Sequence, residues 1–166
     1  PGEQYGAYTL RPKIRRVLSE HLRPVPEPSP KRDSLALALD VPESRITGAT
    51  VEAEISGSDI DPAVRPSLVY RGGYREAQGR LERFVAGPLH SYATARNQPG
   101  GETTSRLSPY VHFGQISVPE IALAVRSATR APQADRDAFL EELIVRRELA
   151  FNFCRFSPHH RTLAAL

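Results

Sequence analysis

The sequence predicts a mainly α-helical fold, preceded by a proline-rich linker and an irregular segment. Three observations predict it. After Gly73 the apolar residues recur at steps of three and four, the period of a helix that buries one face. The same half holds two helix-start signatures, Ser108-Pro109 and Ser117-Val118-Pro119-Glu120. By contrast, only residues 50–55 alternate as a strand would.

In chain order, residues 11–22 place Ile14, Val17, Leu18 and Leu22 at helical spacing with basic groups opposite, which predicts a short amphipathic helix. Pro24, Pro26, Pro28 and Pro30 follow, and such a run is extended linker, not helix. Residues 33–67 are expected to be mostly loop, with a short helix over 34–39 and a strand over 50–55. Gly48, Gly57, Pro62 and Pro66 interrupt that stretch. Next, Leu81, Phe84, Val85, Leu89 and Tyr92 share one helical face, with Gly87-Pro88 as a kink or break. After the polar loop NQPGGETT, Ser108 is expected to cap a helix whose first residue is Pro109, with Gly114 closing it. The capping box at Ser117 opens a helix to about Arg130, where Ala131-Pro132 ends it. The last long helix is expected from about Asp135 to Arg155, burying Phe139, Leu140, Leu143, Ile144, Ala150 and Phe153.

Composition bounds the function. The 166 residues suffice for one domain with a core, and no apolar run is long enough to cross a membrane as a helix. There is no signal-peptide pattern, and the single cysteine, Cys154, excludes an internal disulfide and a cysteine-built zinc site. A reducing, cytoplasmic location of bacterial type is therefore expected. The absence of Met, even at position 1, predicts that the chain starts inside a longer polypeptide. The absence of Trp excludes electron relay along tryptophans within the chain. Net charge is only +3, but it is blocked: residues 1–32 and 65–106 are each basic, with seven cations against three anions, while residues 33–64 carry one against seven. A polyanion would meet the basic blocks.

Two segments have the residue types for chemistry. Residues 100–114, GGETTSRLSPYVHFG, join two glycines and a cluster of hydroxyls to a helix start, an arrangement suited to a phosphate or diphosphate. The ordinary alternative is a capped helix after a surface loop. Residues 139–149 carry Glu142 and Arg146 four apart with Arg147 beside them. They form either a solvated pair worth a few tenths of a kcal/mol or the polar wall of a cleft. His112 is weighed as structural. No metal-ligand spacing, P-loop, GxGxxG or GxSxG pattern occurs.

The runs TSRLSPYVHFGQIS (104–117), LHSYATARNQP (89–99) and FLEELIVRRELAFNFC (139–154) together resemble the DNA photolyase/cryptochrome family. HFGQIS, ELIVRREL and NFC are most similar to its class II cyclobutane pyrimidine dimer photolyases. TLRPKI (9–14) resembles the place where that family's N-terminal α/β domain passes into its linker.

The resemblance implies three parts: the end of an α/β domain with its linker (1–32), an acidic connecting segment (33–69), and the first half of the all-helical FAD-binding domain (70–166). It implies a central fragment of a deoxyribodipyrimidine photo-lyase, in which reduced, light-excited FAD passes an electron to a pyrimidine dimer flipped out of double-stranded DNA. FAD, damaged DNA and the N- and C-terminal remainder of the polypeptide are the implied partners, with no membrane. Tyr92, Thr104, Ser105, Arg106, Leu107 and Ser108 match flavin-binding positions. Arg96, Glu142, Arg146 and Arg147 match DNA-facing ones, with Glu142 as the carboxylate that contacts the dimer. The family's Ala-Asp-Asn-Phe reads Ala150-Phe151-Asn152-Phe153 here, so an aromatic replaces an acid. The alternatives are a blue-light signalling flavoprotein without repair activity, and a helical DNA-binding remnant.

Overall fold

A computed structural model describes residues 2–26, 29, 31, 37, 40, 47–48, 50–61 and 63–162. Its contacts divide the chain into two units, Pro1–Val25 with Gly72–Leu166, and Pro26–Arg71. Residues up to Val25 thus group by their contacts with the helical half.

In the larger unit, α1 spans Ala7–His21, so it starts one turn earlier than the apolar pattern indicates and carries Pro12 within it. Arg11 ties it to the last long helix. Its guanidinium donates from Nη2 to Glu141 Oε1 at 2.7 Å and from Nε to Oε2 at 2.9 Å, across 130 residues of sequence. Gln4 N–H donates to Asn152 Oδ1 at 2.8 Å, a second tie between the N-terminal segment and the last helix.

α3 (Tyr74–Ala86) buries Ala77, Leu81 and Phe84. Gly87 breaks the helix, and a 3₁₀ turn, Pro88–Ser91, leads into the short α4, Tyr92–Ala95. α5 (Ser108–His112) and α6 (Val118–Ser127) follow. Ser117 caps α6 by accepting the Glu120 N–H at 3.2 Å. The capping box is only half formed, because the Glu120 carboxylate accepts the Tyr74 hydroxyl proton at 2.8 Å instead. α6 ends at Ser127, a turn before Arg130.

The last long helix differs most from its expectation. α7 (Gln133–Leu140) runs into a π-helical turn, Glu141–Arg146, and then α8, Arg147–Phe156. A π turn closes i→i+5 and shifts the register of every residue beyond it. Val145 is therefore buried, while Ala150 and Phe153, expected inside, are exposed; Leu140, Leu143 and Ile144 are half-buried. The core sits where α3, α4 and α7 meet. There Phe139 packs against Phe84 and Tyr92 with ring centroids 4.7 and 5.2 Å away.

In the smaller unit the expected strand over residues 50–55 is the helix α2, Val51–Ser56. Val51 and Ile55 are four apart as well as alternating, Glu52 and Glu54 favour a first helical turn, and the described residues hold no strand to pair with. Of the expected helix over 34–39 only Leu37 is described, and Pro28, Pro30 and Pro62 also lie outside the described residues.

Candidate flavin and substrate cavity

The loop ahead of α5 turns sharply because Arg106 adopts φ 51°, a left-handed conformation unusual for a residue with a Cβ. Its guanidinium is drawn sideways to Glu102, 3.1 Å away. The turn brings Leu107 into helical conformation, so Leu107 and not Ser108 is the N-cap. Ser108 is the first helical residue, Pro109 the second, and no side chain caps the helix. The Ser108 hydroxyl is thereby released from the capping role expected of it. The Ser105 Oγ accepts the Leu107 N–H at 3.4 Å, and Gly114, at φ 66°, ends the helix as expected.

Opposite this loop stands the π turn. A cavity of about 360 Å³ lies between them, with Ser105, Leu107, Ser108 and His112 on one side and Phe139, Glu142, Leu143 and Arg147 on the other. Glu142 and Arg147 share its wall because they are five apart across a π turn, where an α-helix would have paired Glu142 with Arg146. That expected pair is not formed. Arg146 points to a different recess, with Glu3, Tyr5 and Leu149.

Glu142 is held instead by Arg96, whose Nη2 lies 3.7 Å from Oε1. Arg96 is itself placed three ways: by Glu142, by the Ala138 carbonyl 3.4 Å from Nη1, and by the Tyr92 ring 5.6 Å from its guanidinium carbon. Tyr92 is buried behind the cavity wall, edge-on to Phe84 and Phe139. Burial pushes its phenol above the ordinary range, with Arg96 opposing and Glu142 adding to the shift.

The structure thus brings together five of the predicted site residues, Ser105, Leu107, Ser108, Glu142 and Arg147, with Arg96 and Tyr92 supporting them from behind. Thr104 and Arg106 line a separate cavity of about 230 Å³ with Arg80 and Arg83, which Ser105 also touches. Sequence reasoning missed two contributors. His112 lines the main cavity, and its spacing of four from Ser108 on one helix was the available signal. Buried Asp135 accepts the Ala93 N–H at 2.7 Å and so anchors α4, which carries Tyr92. No local pattern signals it. Among the described residues no group of His, Cys, Asp or Glu is placed to hold a metal, and no helix is long and apolar enough to cross a membrane.

Comparison with known proteins decides the family. Over 164 residues, 99% of the chain, it is 35% identical to the deoxyribodipyrimidine photo-lyase of Methanothermobacter thermautotrophicus. It is 36% identical over 173 aligned residues to the photo-lyase of Arabidopsis thaliana. This chain belongs to the photolyase/cryptochrome family. A shorter match, 54 residues at 39% identity, is to Cryptochrome-1 of Arabidopsis thaliana and covers 32% of the chain. No family model matches. The chain spans about a third of the length of its photo-lyase relatives, 34% and 32% respectively. Its mainly helical structure accords with the helical FAD-binding domain of photolyases.

Proposed function

We propose that this chain forms one wall of the flavin and substrate cavity of a light-driven, FAD-dependent deoxyribodipyrimidine photo-lyase, most like class II, that splits cyclobutane pyrimidine dimers in double-stranded DNA. The observation that carries the reading is the cavity itself, which sets two serines against a carboxylate and a guanidinium across an apolar floor. The donor set fits the cofactor. Ser105, Ser108 and Arg147 supply hydroxyl and cationic partners for a diphosphate, while Leu107, Val111, Ile121, Phe139 and Leu143 offer apolar surface to a ring system. When bound and reduced, the flavin supplies the photo-excited electron.

The chain's own residues bind and orient. Ser105 and Ser108 meet the cofactor; Thr104 and Arg106, facing the second cavity, lend that role no side chain. Glu142 accepts hydrogen bonds from a flipped-out pyrimidine pair, and Arg96 fixes its carboxylate for that purpose. Such a bond, made to a charged group, is worth about 1.5–3 kcal/mol. If it strengthens as the dimer gains charge, it serves the splitting step as well as binding. Arg146, exposed and away from the cavity, is left as a contact for the DNA backbone.

The test is Glu142→Ala in the complete polypeptide, read as dimer splitting per bound, reduced flavin at saturating damaged DNA. Lower splitting with flavin retained supports repair. Unchanged splitting and unchanged affinity for damaged DNA would overturn it. No splitting by the wild type, with flavin bound, would favour signalling.

A further inference from the structure

The cationic side chains around the two cavities all lie within 4.0 Å of a carboxylate, Arg80 and Arg83 sharing Glu76, and the contact of Arg147 is the longest. Arg96 lies against Glu142, Arg106 against Glu102, and Arg80 3.2 Å from Glu76. Among the described residues the carboxylate beside Arg147 is that of Glu148, at 4.0 Å, the limit of an ion pair, and that side chain is half exposed. Adjacent residues on a helix point in divergent directions, which keeps this contact long. What holds Arg147 is an aromatic face: the Phe151 ring centroid lies 4.5 Å from its guanidinium carbon. Phe151 stands one helical turn beyond Arg147 on α8, and the two stack along the same side.

A ring and a carboxylate at this position have opposite consequences. A carboxylate four residues on would neutralise the guanidinium. A ring fixes it through its quadrupole and leaves the charge in place. Arg147 is among the residues that line the cavity with Ser105 and Ser108 as well as a second recess with Glu148, and a fixed planar cation at such a place is pre-organised for a phosphate.

We propose that Phe151 is a positioning residue: it holds the guanidinium of Arg147, a residue of the cavity lining, as a weakly compensated cation that receives an anionic phosphate of the dinucleotide cofactor. This rests on the flavin reading of the cavity and adds to it a residue outside the cavity lining.

The test measures binding of FAD and of riboflavin, which has no phosphate, to the flavin-free complete polypeptide by fluorescence quenching. Phe151→Trp keeps the aromatic face and should bind both ligands as the wild type does. Phe151→Leu keeps apolar bulk and should weaken FAD about tenfold while leaving riboflavin unchanged. Phe151→Asp should weaken FAD similarly and flatten its salt dependence. In an Arg147→Gln background, Phe151→Leu should cost nothing further. Equal FAD binding by the Leu and Trp variants, equal losses for FAD and riboflavin, or additive losses in the double variant would each overturn the proposal. Ser108→Leu, which fills the cavity, separates the two readings. If it retains FAD, the cavity reading fails; if it loses FAD while the Phe151 variants bind normally, only the role of Phe151 fails.

Discussion

Asp135 offers the sharpest mutational test of how the site is held. The residue is 6% exposed, and its carboxylate accepts the Ala93 N–H at 2.7 Å, just inside the start of α4. It also stands in the first turn of α7, where a negative charge is favoured by the helix dipole. Removing the side chain leaves a partly buried amide without its acceptor, at a cost of up to about 1–3 kcal/mol, and loses a charge-assisted bond besides. Asp135→Ala should therefore destabilise the chain by about 2–3 kcal/mol. Asp135→Asn retains an oxygen acceptor and loses the charge, so about 1 kcal/mol is expected. The assay is urea unfolding at neutral pH, with the slope checked so that midpoints can be compared. Since 1.4 kcal/mol is a factor of ten in the folding equilibrium, the two variants are readily distinguished. Equal effects of Asn and Ala, or both within about 0.5 kcal/mol of wild type, the range of an ordinary surface change, would refute the anchoring role.

Three further outcomes are expected. Phe139→Ala removes the ring shared by Phe84 and Tyr92 and should cost about 3–5 kcal/mol, seen as a lowered urea midpoint with collapse of the near-ultraviolet circular dichroism. Gly114→Ala meets no atom within 4 Å but must adopt φ 66°, so thermal unfolding should report a loss of about 1–2 kcal/mol from backbone strain alone. Glu141, whose carboxyl is held below the ordinary range first by the Arg11 hydrogen bonds, stabilises the fold above the unfolded carboxyl's titration. That contribution fades as pH falls through the folded value. Glu141→Gln should thus lower the melting temperature at pH 7, with the gap to wild type closing in acid; a gap constant with pH would contradict the assignment.

How far the sequence reveals this molecule follows from the range of each signal. Local signals read well: the Gly87-Pro88 break, the Ser117 cap and the Gly114 stop are decided within a few residues, and all are seen. The π turn at Glu141–Arg146 is not a local preference, since its residues suit an ordinary helix equally. Its tie to Arg11, 130 residues away, cannot be read from spacing. That turn changes which residues share a wall. It exchanges the expected Glu142–Arg146 pair for Glu142 with Arg96, and it brings Arg147 to the cavity. The Ser108 cap fails similarly, because the left-handed Arg106 moves the helix start by one residue. At residues 50–55, a six-residue alternation is too short to separate strand from helix when the described residues hold no partner strand.

The proposed function puts the flavin in the cavity between residues 105–108 and the π turn, and not in its neighbour lined by Arg106. The most direct measurement is the flavin-to-protein absorbance ratio of the complete polypeptide after gel filtration, comparing Ser108→Leu with Arg106→Leu. Ser108 lines the first cavity and Arg106 the second. Flavin should be lost from Ser108→Leu and kept by Arg106→Leu. Flavin kept by Ser108→Leu and lost from Arg106→Leu would contradict it.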